Sequence, residues 1–139
     1  MSDCIFCKIA NGEIPTNLVY EDELVAAFND LSPQAPVHIL IVPKAHIASA
    51  LELDDSNKDI VGHIFKVAGE IARQQGFADN GFRLVNNCGK DGGQTVGHLH
   101  FHLLAGRYLE WPPGWCDKII QLLKYVLTIL IFDCIINFV

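Results

Sequence analysis

The chain has 139 residues, half of them hydrophobic, with 10 basic and 16 acidic side chains and a formal net charge of −6. This length suits one domain with one core, and the composition favours a globular chain over a disordered one. The acidic balance argues against sequence-independent binding to nucleic acid backbones, which needs a basic face, but it is compatible with a small phosphate ligand held by backbone amides.

Two cysteines near the amino terminus form a Cys-x-x-Cys pair. Cys4 and Cys7 are two of five cysteines, an odd number, and the segment MSDCIFCKIA has no basic stretch followed by an apolar run. We therefore expect no secretory signal, a cytoplasmic location and reduced thiols. In such a chain the pair indicates metal binding or, less readily, redox chemistry, and the alternative is two small buried thiols.

Turns and two short strands come next. Residues 11–15 (NGEIP) predict a turn, and residues 24–28 (LVAAF) predict a strand. Residues 31–36 predict a loop, because their two prolines disfavour both helix and ladder pairing. The β-branched run VHILIV at 37–42 predicts a second strand, which Pro43 stops.

The strongest helix signal spans about residues 56–75. Ser56 followed by Asp59 resembles a capping box, and Gly76 is a candidate for the residue that ends the helix. Apolar residues recur along one stripe at helical spacing. We expect most of this stripe to be core and part of it to be available for a subunit interface: Ile60, Ile64, Val67, Ala68, Ile71 and Ala72.

Three further segments complete the predicted domain. Residues 82–86 (FRLVN) predict a strand, residues 89–93 (GKDGG) a tight loop, and residues 98–104 (HLHFHLL) a strand with strict alternation. Short strands, one helix and then more strands predict an α+β fold with an antiparallel sheet.

Three of the six histidines occupy alternate positions of the last strand. Side chains alternate between the faces of a strand, so His98, His100 and His102 project from one face about 6.6 Å apart, and the apolar residues between them need burial on the other. A lone histidine is usually structural. Three in alternation opposite an apolar face predict an open functional face.

The loop before this strand carries the run Gly92-Gly93-Gln94-Thr95. Glycines let a backbone approach a ligand closely and turn its amides toward an anion, and Gln94 and Thr95 add side-chain donors. A Gly-Gly turn alone is more often a connector. Beside a histidine face it predicts a phosphate site.

Composition changes sharply after Gly114, and residues 115–139 contain no glycine or proline and almost no charge. We therefore predict a domain at 1–114 and an atypical hydrophobic extension at 115–139. As a membrane helix, residues 119–139 are barely long enough, and Lys124 and Asp133 would each cost about 3 kcal/mol in hydrocarbon. The interpretations are an extension that was not selected, which we prefer, a membrane-associating tail and a packing helix.

Four separated segments together resemble the histidine triad family. In chain order they are CIFCKIANGEIP, FNDLSPQAPVHILIVPKAH, DGGQTVGHLHFHLLAGR and WPPG. HLHFHLL matches the family motif His-x-His-x-His-hydrophobic-hydrophobic, and nearly all of residues 3–114 is similar to the Hint branch. The resemblance implies an antiparallel sheet of about five strands with one long helix, dimerising into a continuous sheet.

The resemblance implies a hydrolase acting at the α-phosphate of purine nucleoside phosphoramidates, with adenosine 5′-phosphoramidates or aminoacyl-adenylate-like molecules as candidates. His100 matches the nucleophile that forms a nucleotidyl-histidine, His102 matches the phosphate-contacting histidine, and His38 matches the fourth histidine that orients the nucleophile. The alternatives are a dinucleoside polyphosphate hydrolase, a nucleotide-binding module whose hydrolysis is incidental, and a zinc hydrolase using the three strand histidines.

The resemblance also implies the substrate contacts. Asn87, Gln94 and Thr95 match donors to the phosphate or leaving group, and Asp30 matches the carboxylate that accepts both ribose hydroxyls. Trp111 is a candidate substrate-side residue from a partner subunit. The purine clamp matches six apolar residues, each of which core packing would explain as well: Ile5, Phe6, Ile9, Phe28, Leu31 and Leu40.

A structural zinc site is implied by the same resemblance, with Cys4, Cys7, His46 and His98 as tetrahedral ligands. No organic cofactor is expected. The expected partners are a purine nucleotide and a second copy of the chain, with no nucleic acid and with a membrane only through the tail.

Overall fold

Alternating apolar segments build a five-stranded antiparallel sheet with the strand order β1-β2-β3-β5-β4. This confirms the predicted α+β fold. The first strand was not predicted, because LVYE is only four residues long and half-buried. The strands are β1 (Leu18–Glu21), β2 (Val25–Asn29), β3 (Val37–Pro43), β4 (Arg83–Asn86) and β5 (Phe101–Ala105).

The computed structural model describes residues 3–111. The chain divides into two units, Met1–Tyr108 and Leu109–Val139, and every helix and strand of the described residues belongs to the first. No helix of the described part is long and apolar enough to cross a membrane. The predicted domain boundary after Gly114 and the predicted extension at 115–139 lie outside the described residues.

The long helix, α2 (Asp59–Gln74), covers one face of the sheet. Its apolar stripe packs on alternate residues of β2, β3 and β5, and burying each large aliphatic side chain contributes roughly 1.5–3 kcal/mol. Five residues of the predicted stripe are buried: Ile64, Val67, Ala68, Ile71 and Ala72.

The predicted capping box at the start of α2 is wrong. The Asp54 carboxylate accepts both the backbone N–H and the hydroxyl of Ser56, so this serine is held in the preceding turn. The helix begins later, with Lys58 at its N-cap and no side-chain cap.

The predicted end of α2 is confirmed. Gly76 has φ +78°, a left-handed conformation that glycine adopts without strain. The N–H of Gly76 donates to Arg73, and the N–H of Phe77 donates to Ala72, which is the Schellman pattern. The buried Phe77 ring then anchors the chain as it leaves the helix.

A short helix that the sequence did not predict, α1 (Ile5–Ala10), packs beside β2 and β3. Its six residues are too few to show a helical period, and Gly12 and Pro15 mark only the turn that follows. Phe6 and Ala10 are buried in a second apolar cluster, which uses the sheet residues that point away from α2.

Strand β5 begins later than the predicted residue 98. The backbone N–H of His98 donates to Val96, and that of Leu99 donates to Ile47, so ladder pairing starts only at Phe101. The predicted apolar face is nevertheless present, because Leu99, Phe101 and Leu103 all join the α2 core.

Candidate active site

Two histidines from neighbouring strands meet on the sheet face opposite α2. The register pairs Leu40 with His102 and His38 with Leu104, so His38 and His102 are diagonal neighbours on one face. Their ring centroids are 5.2 Å apart, and Nε2 of His38 lies 2.9 Å from Nδ1 of His102. The sheet therefore joins two predicted catalytic residues that are distant in sequence.

Hydrogen bonds fix where each of these rings carries its proton. The backbone N–H of Gln34 donates to Nδ1 of His38 at 3.1 Å, so the proton of a neutral His38 lies on Nε2. This Nε2–H donates to Nδ1 of His102, which places the proton of His102 on its own Nε2. His102 therefore presents an N–H donor.

Burial keeps both rings neutral near pH 7. It lowers the pKa of His38, and the Asp30 carboxylate opposes this by raising it. Burial likewise lowers the pKa of His102, with further lowering by His100 and His38 against the effect of Asp30, to about 4. The neutral forms required by the hydrogen-bond pattern are thus favoured.

His100 has the opposite arrangement. Its Nδ1 lies 2.6 Å from the carbonyl oxygen of His98, and a carbonyl can only accept, so in the neutral ring Nδ1 carries the proton and Nε2 keeps its lone pair. The amide of Asn86 donates to the His100 carbonyl at 2.8 Å and holds its backbone. Since the rings of His100 and His102 are 5.1 Å apart, a lone pair and an N–H donor stand side by side.

The prediction of an open histidine face is wrong. His98 is 0% and His100 is 3% exposed, because the α1 residue Phe6 packs edge-on against both rings. Within residues 3–111, no fully buried side-chain nitrogen or oxygen lacks a hydrogen-bond partner. Because the hydrogen bond of the His100 ring is made by Nδ1, we expect its small exposed part to include Nε2.

One predicted phosphate-binding side chain, Asn87, lies beside the histidine pair. Nδ2 of Asn87 is 3.5 Å from Nε2 of His102, which is too long for a strong hydrogen bond. Both groups can therefore donate to a third atom, such as one phosphate oxygen. Thr95 is exposed on the loop that precedes the histidines.

Gln94, by contrast, is engaged within the protein. Its Nε2 donates to the carbonyls of Ala48 and Val96 at 2.7 and 2.9 Å, and its Oε1 accepts the N–H of Gly89 at 3.1 Å. Donation from this side chain to a phosphate would require breaking one of these bonds. The structure shows Gln94 as the residue that fastens the loop.

The glycine pair also serves the loop itself. A Cβ atom on Gly92 would collide with the carbonyl oxygen of Cys88, and Gly93 has φ +77°. The sequence predicted that these glycines let the backbone approach a ligand closely. At Gly92 the backbone instead closely approaches another part of the protein's own backbone.

Asp30 lies next to the paired histidines. Its Oδ1 accepts the backbone N–H of Ser32 at 2.7 Å, and its Oδ2 is 3.4 Å from Nε2 of His38. Oδ1 is thus used by a hydrogen bond within the local turn. The other stands at the edge of the histidine pair.

The predicted purine clamp is assembled in part. Ile5 is 50% exposed and Leu31 is fully exposed, so both lie outside the apolar cluster. Trp111 is also exposed, and its place in a partner's site stays a prediction. Four clamp residues gather in or against the cluster beside the histidines: Phe6, Ile9, Phe28 and Leu40.

The predicted metal ligands converge on one point. The sulfur and ring nitrogen atoms of Cys4, Cys7, His46 and His98 all lie within 4.8 Å of one another, with Sγ–Nδ1 contacts of 3.2, 3.4 and 3.5 Å. Tetrahedral zinc bonds of about 2.3 Å to sulfur and 2.05 Å to nitrogen separate such atoms by about 3.6 Å. The four side chains fit a closed, structural zinc site.

His98 is already oriented as a ligand. Its Nε2 donates to the Pro43 carbonyl at 2.9 Å, which leaves the Nδ1 lone pair directed at the cysteines. Burial lowers the pKa of His98, and the positive charge that His46 or His100 would carry lowers it further, while the Pro43 bond raises it. A neutral ring is the form that binds metal.

The three strand histidines do not share one metal-sized space. In the described part of the chain, His98 groups with the cysteines and His46, whereas His102 groups with Asp30 and His38. This arrangement does not favour a zinc hydrolase that uses His98, His100 and His102 together.

Sequence reasoning missed the groups that set the tautomers. The N–H of Gln34 and the carbonyls of His98 and Pro43 are backbone groups, which every residue carries and no motif reveals. Asn86 is a side chain, but nothing in the sequence distinguishes it from Asn87.

Comparison with known proteins identifies the fold and the motif. The family model described as the HIT domain matches residues 11–109. A 14 kDa zinc-binding protein of Brassica juncea is 46% identical over 114 residues, covering 81% of this chain and 100% of the relative.

Solved structures agree with this result. A histidine triad protein from Clostridium difficile is 59% identical with a TM-score of 0.77, covering 79% of this chain and 96% of that one. A HIT family hydrolase from Legionella pneumophila is 47% identical with a TM-score of 0.78, covering 81% of this chain and 100% of that one.

Proposed function

The chain belongs to the histidine triad (HIT) family, and from this premise we propose that it is a hydrolase that cleaves purine nucleoside phosphoramidates at the α-phosphate through a covalent intermediate on His100. The similar Legionella protein described as a HIT family hydrolase supports the hydrolase class. The observation that carries the proposal is the lone pair on Nε2 of His100 beside the Nε2–H of His102.

The reaction divides into two displacements. Nε2 of His100 attacks the α-phosphorus, an N–P bond to the protein forms, and the substrate's P–N bond breaks as the leaving amine takes a proton from solvent. Water then attacks the same phosphorus, the His100–P bond breaks, and the nucleoside monophosphate leaves. His100 recovers its lone pair and the proton lost by water is released to solvent.

Fixed donors lower the barrier of both steps. The Nε2–H of His102 and the amide of Asn87 can converge on one phosphate oxygen, where negative charge grows during attack. The chain of bonds from Gln34 through His38 holds the His102 donor in place before substrate arrives. Burial under Phe6 strengthens these interactions by excluding water.

The nucleoside would occupy the space between Asp30 and the apolar cluster. The Oδ2 atom of Asp30 is the acceptor proposed for ribose hydroxyls, and Phe28 and Leu40 offer apolar surface to the purine. A P–N bond suits this site, because the leaving amine is readily protonated. A dinucleoside polyphosphate would contact the same residues and is the alternative substrate.

We also propose that Cys4, Cys7, His46 and His98 hold zinc, as the similar zinc-binding protein of Brassica suggests. Bound zinc would supply a structural link and no chemistry at phosphorus. The ligand residues tie the amino-terminal helix to the catalytic strand.

Incubation with an adenosine 5′-phosphoramidate, followed by an acid quench and mass spectrometry, tests the mechanism. The wild-type chain should turn over and show a transient mass increase of one AMP. His100→Gln should lose at least about a thousandfold in turnover and carry no label. His63→Gln, the same change at a histidine on α2, should keep both.

Two results would redirect the proposal. If the wild type and His100→Gln both bind AMP and neither turns over, the protein is a nucleotide-binding module. If chelation abolishes turnover while hydrogen exchange shows that α1 stays protected, a metal-activated water replaces the covalent histidine.

A further inference from the structure

Cys4 and Cys7 lie side by side at the start of α1. Their sulfur atoms contact the same nitrogen, Nδ1 of His98, at 3.4 and 3.5 Å, and the two sulfurs are within 4.8 Å of one another. Cys4 is the N-cap residue of α1, and the N–H of Lys8 donates to its carbonyl at 3.1 Å, so both cysteines belong to one helical turn. Residues spaced in this way have Cα atoms about 5 Å apart, within the range of about 4.4–6.8 Å that a disulfide requires.

We propose that Cys4 and Cys7 form a reversible disulfide in response to a peroxide, and that this disulfide releases the metal and loosens the attachment of α1. The metal release rests on the zinc site proposed above, because the same two sulfurs are its thiolate ligands. The disulfide and the loosening of α1 do not depend on the proposed hydrolysis.

The cysteine pair is accessible to a small oxidant. Both cysteines are half-buried and His46 is exposed, so the metal-binding cluster reaches the surface of the protein. Cys88 is another half-buried cysteine of the described residues, and it is not part of this cluster. It therefore serves as the reference thiol in the test below.

The reaction balances with hydrogen peroxide as the oxidant. One thiolate attacks a peroxide oxygen, the O–O bond breaks, and a sulfenic acid and a hydroxide form. The second thiolate attacks the sulfur of the sulfenic acid, the S–O bond breaks, and a second hydroxide leaves. The two sulfurs together lose two electrons, which the peroxide gains, and two protons from solvent convert the hydroxides to water. A dithiol reverses the change by returning two electrons, and is itself oxidised to a disulfide.

The disulfide is incompatible with the metal centre. A sulfur in a disulfide is no longer a thiolate, which is the form that binds metal. Two of the four ligands are thereby lost, and His46 and His98 alone do not complete a tetrahedral site. The ion therefore leaves, and the link from α1 to these two histidines is broken.

The loosened helix is the one that covers His100. Phe6 stands between the two cysteines in the sequence, and its ring centroid is 6.0 Å from that of His98 and 5.3 Å from that of His100. Without the metal, α1 is held chiefly by the burial of Phe6 and Ala10. A helix of six residues held in this way opens more readily. The thiol state of the pair thus controls how tightly His100 is covered.

Peroxide treatment of the reduced, zinc-loaded full-length chain tests the proposal. After alkylation of the remaining thiols, trypsin yields the peptide MSDCIFCK, residues 1–8, which contains both cysteines of the pair and no other. We expect this peptide to escape alkylation and to have a mass two hydrogens below that of its reduced form. One zinc ion per chain should appear with a chromogenic chelator, and dithiothreitol with added Zn²⁺ should restore the starting state.

Hydrogen exchange measures the loosening of α1. In the oxidised chain, the amides of residues 5–10 should exchange at least about fivefold faster, whereas those of α2 should keep their rates. The matched control is Cys88→Ser, which removes a half-buried thiol outside the cluster. It should give the same disulfide, zinc release and exchange rates as the wild type.

Several results would overturn the proposal. Reduced thiols and bound zinc, under conditions that convert glutathione to its disulfide, would eliminate it, as would sulfinic acids that dithiothreitol does not reverse. Zinc release that disappears in Cys88→Ser would assign the oxidation to that residue. A disulfide without faster exchange in α1 would eliminate the control over His100, and a reduced chain that takes up no zinc would refute the release. A failed proposed function is distinguishable, because mass, zinc and exchange are all measured without nucleotide.

Discussion

His100 and His102 are the same residue type two positions apart, yet they present opposite groups to the site. The difference arises at Nδ1, which donates to a backbone carbonyl in His100 and accepts from an imidazole in His102. Each neutral ring has one N–H and one lone pair, so the partner at Nδ1 dictates what Nε2 can do.

Gln94 was predicted from the sequence to bind the substrate, but in the structure its side chain binds backbone groups of the protein. Gln94→Ala should lower the free energy of unfolding by about 1–3 kcal/mol, because it removes the side chain that holds Ala48, Val96 and Gly89. Urea unfolding measures this. The neighbouring Thr95→Ala, at an exposed position, should change stability by less than about 0.5 kcal/mol. If Gln94→Ala and wild type have the same free energy of unfolding, Gln94 does not stabilise the loop, and its predicted role in binding the substrate is the one that remains.

Asp22 should give the fold a defined acid sensitivity. Burial raises its pKa, but the N–H groups of Val25 and Leu24, together with His63 and Tyr20, lower it from 3.8 to about 2. A carboxyl with a depressed folded pKa contributes stability that is present above pH 3.8 and lost as the pH falls toward 2.

Asp22→Asn should therefore cost about 1–2 kcal/mol at pH 7, and the difference from wild type should shrink to near zero around pH 2. Unfolding curves of both proteins at several pH values measure the difference. The contributions of the other carboxylates are the same in both proteins and therefore cancel. A difference that is constant from pH 5 to pH 2.5 would contradict the assignment.

At the scale of elements, α1 is the piece most dependent on its surroundings. A helix of six residues is not stable in water by itself. It is held by the burial of Phe6 and Ala10 and, in the proposed zinc site, by Cys4 and Cys7. The same helix covers His100, so its attachment and the state of the site are linked.

Metal removal should release α1 first. After treatment with a strong chelator, the backbone amides of residues 5–10 should exchange hydrogen faster, whereas those of α2, which shares no metal ligand, should stay protected. Mass-spectrometric hydrogen exchange on peptic fragments measures both. Cys4→Ser should reproduce the effect without chelator, and equal exchange with and without metal would show that apolar packing alone holds the helix.

At the scale of the whole molecule, the described helices and strands end at Ala105, within the unit Met1–Tyr108. Among residues 3–111, the core formed by α2 and the sheet and the second cluster under α1 draw on residues up to Ala105. The sheet edges are β1 and β4, and the homodimer with a continuous sheet stays our proposal.

A chain ending at Gly114 should therefore fold as the full chain does. We expect the same urea midpoint for both and turnover of the same order. Analytical ultracentrifugation of the two chains measures the proposed dimer and shows whether residues 115–139 affect it. Failure of the short chain to fold would place these residues inside the domain, against the predicted boundary.

The sequence by itself determined the parts of the fold that short-range patterns encode. The α2 stripe, its Gly76 terminus and the strand VHILIV follow from side-chain period and backbone chemistry, which act over a few residues. The motif around His98, His100 and His102 and the Cys4–Cys7 pair likewise indicated the family and the proposed metal ligands. The short elements α1 and β1 and the true start of β5 were missed, because they carry too few residues for a period or depend on a long-range partner.

Only the tertiary structure decided the chemistry of the site. The register of β3 and β5 set His38 against His102, the fold placed Phe6 over His100, and backbone groups of Gln34 and His98 fixed the protons. These contacts join residues far apart in the chain or use groups common to all residues. A one-dimensional pattern cannot specify them, since a protonation state depends on which atoms folding brings within hydrogen-bond distance.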